Sequence, residues 1–131
     1  MDRLFLRANV LFSAAYREDS GLLRFWKLEH AELITSAYAL EEAHRNLDTE
    51  EQRGRLEALI RDIRVAPESA VELPDGIELA AKDIPILRAA VGAEASHLIT
   101  GDRRDFGRHF GKTLAGVVVM PPRDYLAPPS A

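Results

Sequence analysis

The stretch HLITGDRRDF at residues 97–106 decides the fold of this chain. Its first four residues are mostly apolar or β-branched and predict a strand, and Asp102 is placed to cap a short helix that runs to about Phe110. A second apolar run, GVVVM at residues 116–120, is typical of a strand that is buried on both faces. Strands that alternate with helices in this way predict a parallel α/β sheet.

The same order of strand and helix recurs towards the N-terminus. Short strands are predicted at residues 4–6 and 32–35. Asn9 follows the first strand and Ser36 the second, and both are residue types that cap a helix. A further short strand is predicted at residues 70–73, inside a stretch that proline and glycine punctuate.

Two more helix starts complete the pattern. Thr49 and Gln52 have the spacing of a capping box, in which each side chain accepts from the backbone N–H of the other residue. Asp83 stands before a helix that has Pro85 in its first turn, where proline is well tolerated. The helices therefore suffice to cover both faces of one sheet.

Length and composition limit the function classes. The chain has 131 residues, 47% of them hydrophobic, which predicts one folded domain over residues 1–127 and a tail at 128–131. Cysteine is absent, which excludes disulfides and thiolate metal sites. No apolar run is long enough for a membrane span, and the N-terminus does not look like a signal peptide, so cytoplasmic residence is the expectation.

Acidic residues follow the predicted strands and open the predicted helices. In open parallel sheets, ligands bind beyond the carboxyl ends of the strands, which is where Arg7, Thr100 and Asp102 lie. Carboxylates gathered there would form a pocket of oxygen ligands for Mg²⁺ or Mn²⁺. The candidate acids share this placement near a strand end or a helix start: Glu42, Asp83, Asp102 and Asp105.

Each acid also has a structural interpretation. Asp83 and Asp102 can serve as helix caps, and Asp105 can pair at the surface with Arg104 or Arg108. Helical spacing does not decide whether Glu41 or its neighbour Glu42 faces a cleft. Taken together at the ends of one sheet, however, the acids favour a site.

Four segments in order carry a family resemblance. The chain resembles PIN domains, in particular the VapC-type toxin ribonucleases and their relatives, over nearly its whole length. The segments are LRANVL at residues 6–11, Ser36 with Glu42 and the RNL that ends at Leu47, Asp83 with IPIL at residues 84–87, and LITGD at residues 98–102 with Asp105 and Phe106.

The resemblance implies a Rossmann-like α/β/α sandwich and metal-dependent cleavage of RNA. It also implies homodimers and, in toxin members, a cognate antitoxin protein. Carried over to this chain, Glu42, Asp83 and Asp102 would be metal ligands, and Asp105 would be an auxiliary acid. Two polar residues, Asn9 and Thr100, would orient ligands or water.

A basic stretch follows Asp102. Arg103, Arg104 and Lys112 would hold the phosphates of single-stranded or looped RNA, with Arg108 and His109 in the same cluster. A solvated helix face explains the cluster equally well. The net charge of −4 argues weakly against a general nucleic-acid coat protein.

Arg7 departs from the family pattern, which has an aspartate at this position. A guanidinium beside carboxylates would take over the electrostatic role of the metal, so metal binding is predicted to be weak and this chain inactive or impaired. The alternative function is a non-catalytic module of the same fold that binds RNA or a protein. A different acid-lined phosphotransfer domain is not supported, because a glycine-rich phosphate loop is lacking.

Overall fold

The computed structural model of the chain describes residues 1–127. Six strands lie in this part: β1 (Asp2–Leu6), β2 (Ala31–Ser36), β3 (Arg64–Ala66), β4 (His97–Ile99), β5 (Thr113–Leu114) and β6 (Val117–Met120). The α-helices are α1 (Ala8–Tyr16), α2 (Ala37–Asn46), α3 (Glu50–Ile60), α4 (Ile84–Gly92), α5 (Arg103–Phe106) and α6 (Pro122–Leu126). Two 3₁₀ helices cover Gly21–Lys27 and Gly107–His109.

The strands form one sheet in the order β3-β2-β1-β4-β6-β5. All neighbours are parallel except β5, which forms a hairpin with β6 and runs antiparallel to it. Leu4 and Leu6 pack into one core with α1, α2 and α3, whereas Phe5 packs into a second core with α4 and α5. The sheet is therefore sandwiched between helices, which confirms the predicted α/β class.

Local capping explains where the helices begin. The Ser36 hydroxyl accepts a hydrogen bond from the N–H of Ala39 at 3.1 Å and opens α2. Thr49 and Gln52 form the predicted capping box at the start of α3. These bonds satisfy backbone donors that the first turn of a helix leaves without an intrahelical partner.

Three local predictions were wrong. Asn9 lies inside α1 and does not cap it. The N-cap residue is Arg7, because the helix begins two residues earlier in the chain than predicted. Residues 70–73 form no strand. The third strand along the chain is instead Arg64–Ala66, which pairs with β2 at the sheet edge and is too short to show an alternating pattern.

The helix that Asp102 opens is shorter than predicted. It ends at Phe106 and continues as a 3₁₀ turn through His109. The predicted tail at 128–131 lies outside the described residues. Among the helices of residues 1–127, none has the length and apolar character that a membrane crossing requires.

Candidate metal-binding site with an internal arginine

The candidate site lies at the carboxyl ends of neighbouring parallel strands. Arg7 directly follows β1, and Thr100 directly follows β4, the strand hydrogen-bonded to β1. The backbone N–H of Arg7 donates to the carbonyl of Ile99 at 3.1 Å, which ties the two strand ends together. The parallel arrangement thus brings Arg7 and Asp102 to the same edge, as the sequence predicted.

Arg7 is a buried cation held between two aspartates. Only 8% of its surface is exposed. Nη1 donates to Oδ2 of Asp102 at 3.1 Å, and Nη2 lies 3.6 Å from Oδ1 of Asp83. The guanidinium also lies over the ring of Phe106, 5.2 Å from the ring centroid. Carboxylates and an aromatic face together compensate for removing this charge from water.

Three aspartates form one cluster around the arginine. Carboxylate oxygens of Asp83, Asp102 and Asp105 lie within 4.8 Å of one another, close enough to hold one metal ion. Lys82 adds a second cation, with Nζ 2.5 Å from Oδ2 of Asp105 and 3.9 Å from Oδ2 of Asp83. The Asp105 carboxylate is therefore paired with Lys82, and not with Arg104 or Arg108 as the surface interpretation expected.

Asp83 is buried without serving as a cap. It is 1% exposed and stands at the N-cap of α4, but its side chain makes no capping hydrogen bond. Within residues 1–127, its Oδ2 has no hydrogen-bond partner. Burial raises the pKa of Asp83 above its ordinary value, although the charges of Arg7 and Lys82 act to lower it.

Asp102 is a helix cap as well as a partner of Arg7. Its Oδ1 accepts from the N–H of Asp105 at 3.0 Å, so its two oxygens face two different donors. Burial alone would raise the pKa of Asp102. The hydrogen bonds from Asp105 and Arg7, together with the positive charge of Arg7, outweigh burial and lower that pKa.

A small polar network fixes the loop that carries Asp102. The Thr100 hydroxyl accepts from the N–H of Asp102 at 3.1 Å and from Nδ2 of Asn9 at 3.4 Å. Oδ1 of Asn9 accepts from the N–H of Gly101 at 3.2 Å. Asn9 and Thr100 thus hydrogen-bond to the backbone around Asp102, and their role in orienting ligands or water stays a prediction.

Glu42 does not join the three clustered aspartates. It is half-buried on α2 and lines an adjacent cleft of about 260 Å³ together with Asn9 and Asn46. Glu41, the alternative left open by the helical spacing, is exposed and lies 4.0 Å from Arg45 in a surface pair. Of these two glutamates, Glu42 is therefore the one that lines the cleft beside Asn9, and its role as a metal ligand stays a prediction.

Part of the predicted basic cluster is engaged elsewhere. Arg103 and Arg104 are exposed on α5, and Lys112 is exposed after the 3₁₀ turn. Arg108 instead pairs with Glu78 at 2.8 Å. His109 is buried, with Nε2 3.0 Å from the carbonyl oxygen of Glu78.

Comparison with known proteins establishes the fold. Neither a protein-family model nor a curated protein matches the chain. A crystal structure of VapBC2 from Rickettsia felis, bound to a DNA fragment from its promoter, is similar with a TM-score of 0.67. The match has 16% sequence identity and covers 91% of this chain and 98% of that chain. This likeness shows that the chain shares the fold of a chain in that structure.

Two residues that contact the site are not among the site residues predicted from the sequence. Lys82 contacts two of the three clustered aspartates, and its position immediately before Asp83 was the available signal. Phe106 lies under the Arg7 guanidinium, whereas the sequence indicates it only as part of the segment that follows β4. A sequence gives no sign that these two residues, 99 positions apart, are in contact, because the contact depends on how α5 packs beside the end of β1.

Proposed function

We propose that this chain is a VapC-like PIN-domain protein whose parent activity is metal-dependent endoribonuclease cleavage, as the toxin of a toxin–antitoxin pair. Arg7 occupies the position of its first catalytic acid, so the chain itself is inactive or impaired. The observation that carries the proposal is the buried Arg7 guanidinium, 3.1 Å from Asp102 and 3.6 Å from Asp83. An arginine at this position provides the carboxylates with positive charge that a metal ion would otherwise supply.

The donor set suits Mg²⁺ or Mn²⁺, apart from Arg7. Hard divalent cations prefer carboxylate oxygens, and Oδ2 of Asp83 is a buried oxygen without a hydrogen-bond partner in residues 1–127. Arg7 and Lys82 neutralise two of the three clustered carboxylates. Arg7→Asp would leave four acids with one cation, which is a far stronger attraction for a divalent ion. When bound, such an ion would polarise a phosphate and acidify a water molecule.

The remaining roles follow from the placement of the side chains. Asp83, Asp102 and Asp105 would hold the ion, with Glu42 as a further ligand from α2. Asn9 and Thr100 would keep the Asp102 loop in place through the network described above. The exposed cations next to the cluster would bind the phosphates that flank the cleaved bond in single-stranded RNA: Arg103, Arg104 and Lys112.

Partners belong to the same proposal. One similar solved structure is that of VapBC2, which supports an antitoxin protein as a partner of this chain. A homodimer and cytoplasmic residence complete the proposal and rest on the family resemblance and the sequence.

A non-catalytic module that binds RNA or a protein is the second candidate. The ion pairs of Arg7 with Asp83 and Asp102 favour it, because they place positive charge in the acid cluster through a group that carries no exchangeable water. The two candidates share one fold and one surface. They differ only in whether the acids ever hold a metal ion.

Cleavage of a mixed RNA pool by the native chain and by Arg7→Asp separates the two. We expect no measurable cleavage by the native chain and Mg²⁺-dependent cleavage by Arg7→Asp, higher by at least about a hundredfold, because loss of one electrostatic contributor to a transition state typically costs that much. The matched control is Arg7→Asp combined with Asp83→Asn, which removes a ligand and should abolish the gain. Equal cleavage by native chain and Arg7→Asp, stopped by chelator in both, would show that Arg7 lies outside the metal shell. Absence of cleavage in every variant would favour the non-catalytic module.

A further inference from the structure

A cleft of about 440 Å³ opens beside the aspartate cluster, between the start of α2 and the first turns of α4. Its volume falls in the range of about 300–1,000 Å³ that is usual for small-ligand sites. Tyr38, Pro85 and Ile86 supply apolar lining, and Lys82 and Arg88 supply positive charge. Lys82 belongs to both the cleft and the cluster, because its Nζ bonds to Asp105.

Tyr38 offers an aromatic ring to solvent. It is the second residue of α2 and is 55% exposed, more than the other exposed tyrosine, Tyr16, at 41%. A large aromatic ring left in water forgoes the stabilisation that burial would give it. Aromatic rings in such positions serve as stacking platforms for unpaired nucleobases, whatever the base.

The charges of the cleft favour an anionic ligand. Arg88 is exposed on α4, and Lys82 lies two residues before α4, so two cations line the cleft beside its apolar surface. Glu68 is the acidic residue of the lining, which leaves the cleft with net positive charge. An aromatic platform beside two cations is the combination by which proteins hold single-stranded nucleic acid.

We propose that this cleft binds one nucleotide of a single-stranded RNA, adjacent to the phosphate that reaches the aspartate cluster. The base stacks on Tyr38 over the apolar surface of Pro85 and Ile86, and Lys82 and Arg88 contact its phosphates. This assignment rests on the proposed function for its choice of ligand. A second copy of the chain fits the cleft less well. In a two-fold symmetric contact, Lys82 and Arg88 of one copy would lie near the same cations of the other copy, and like charges repel.

Equilibrium binding of a fluorescently labelled, mixed-sequence single-stranded RNA tests the subsite. The native chain with chelator present is used, so that binding is measured without cleavage. Tyr38→Ala should weaken binding by about 5- to 100-fold, the usual effect of losing one stacked base, whereas Tyr38→Phe should keep the affinity. Tyr16→Ala is the matched control, since it removes an exposed tyrosine ring from α1, and should leave the affinity unchanged. Arg88→Ala should weaken binding and reduce its dependence on salt.

A second measurement reports on the base itself. In Tyr38→Trp, RNA should quench the emission of the introduced indole, whereas in Tyr16→Trp it should not. RNA binding that is equally strong in Tyr38→Ala and native chain would overturn the subsite and leave the proposed function intact. Loss of a dimer in Tyr38→Ala by sedimentation, with unchanged RNA affinity, would overturn it in favour of a contact between copies. If neither the native chain nor Arg7→Asp binds or cleaves RNA, the proposed function fails first and the subsite with it.

Discussion

The starts of α4 and α5 carry the same residue type, Asp83 and Asp102, on two sides of Arg7. Asp102 has an extended backbone, and its side chain accepts from the N–H of Asp105, as an N-cap residue usually does. The Asp83 backbone is already helical, with φ −98° and ψ −13°, and its side chain caps nothing. One aspartate therefore stabilises its helix, while the other is buried with an oxygen that has no hydrogen-bond partner in residues 1–127.

This difference shows which aspartate needs an explanation beyond folding. A buried carboxylate with an unsatisfied oxygen lowers the stability of the fold. Its presence therefore indicates a role other than stabilising the fold. Helix capping alone explains the aspartate at position 102, whereas it does not explain the aspartate at position 83. Asp83 therefore supports a metal-binding role for this cluster more strongly than Asp102 does.

Metal affinity should change most when Arg7 is replaced. By calorimetry, we expect no micromolar binding of Mn²⁺ to the native chain and micromolar binding to Arg7→Asp, at least about a hundredfold tighter, because a cation is removed and a ligand is added. Arg7→Asn is the control that removes the charge without adding a carboxylate, and its affinity should be intermediate. Native-chain binding as tight as that of Arg7→Asp, and lost in Asp83→Asn, would mean that Arg7 does not compete with the ion.

Folding stability should separate the two aspartates. Asp102→Asn should lower the free energy of unfolding by about 1–3 kcal/mol, because it weakens a charged hydrogen bond to the largely buried Arg7. Asp83→Asn should be neutral or should stabilise the fold by up to about 1 kcal/mol. It removes a buried charge, and Arg7 still has its ion pair with Asp102. Urea denaturation of both variants measures this. A loss in Asp83→Asn as large as that in Asp102→Asn would make Asp83 a structural partner of Arg7.

The pH dependence of stability should have opposite signs for the two residues. The pKa of Asp83 is raised from its ordinary 3.8, so the folded state binds the proton more tightly and stability falls as the pH rises from about 3.8 through the folded pKa. The pKa of Asp102 is lowered from 3.8, so its contribution is present above 3.8 and is lost as the pH falls through the folded pKa. A difference of one between the folded and unfolded pKa changes the free energy of unfolding by about 1.4 kcal/mol.

Differences between each variant and the native chain isolate these effects from those of the other acids. The free energy of unfolding should be measured between about pH 2 and pH 6 for the native chain, Asp83→Asn and Asp102→Asn. The advantage of Asp83→Asn should grow as the pH rises above 3.8. The cost of Asp102→Asn should vanish at the acidic end. Parallel curves for all three proteins would remove the electrostatic distinction between the two helix starts.

Much of this arrangement was readable from the sequence because it depends on local signals. Ser36, the pair Thr49 and Gln52, and Asp102 begin their helices as predicted, since capping involves residues only two or three positions apart. The placement of Arg7 beside Asp102 could also be predicted, because parallel strands of one sheet have their carboxyl ends at the same edge. The short edge strand Arg64–Ala66 could not be predicted in this way. It is a strand because it pairs with β2, and its own sequence shows no strand pattern.

The sequence by itself determined the α/β class, most of the helix starts, and the conflict between a cation at position 7 and the acids downstream. Only the tertiary structure decided which acids meet. It groups Asp105 with Asp83 and Asp102, brings Lys82 to the group, and leaves Glu42 in the neighbouring cleft. The physical reason is that these distances depend on how α2, α4 and α5 pack against the sheet, over separations in sequence that no local pattern spans.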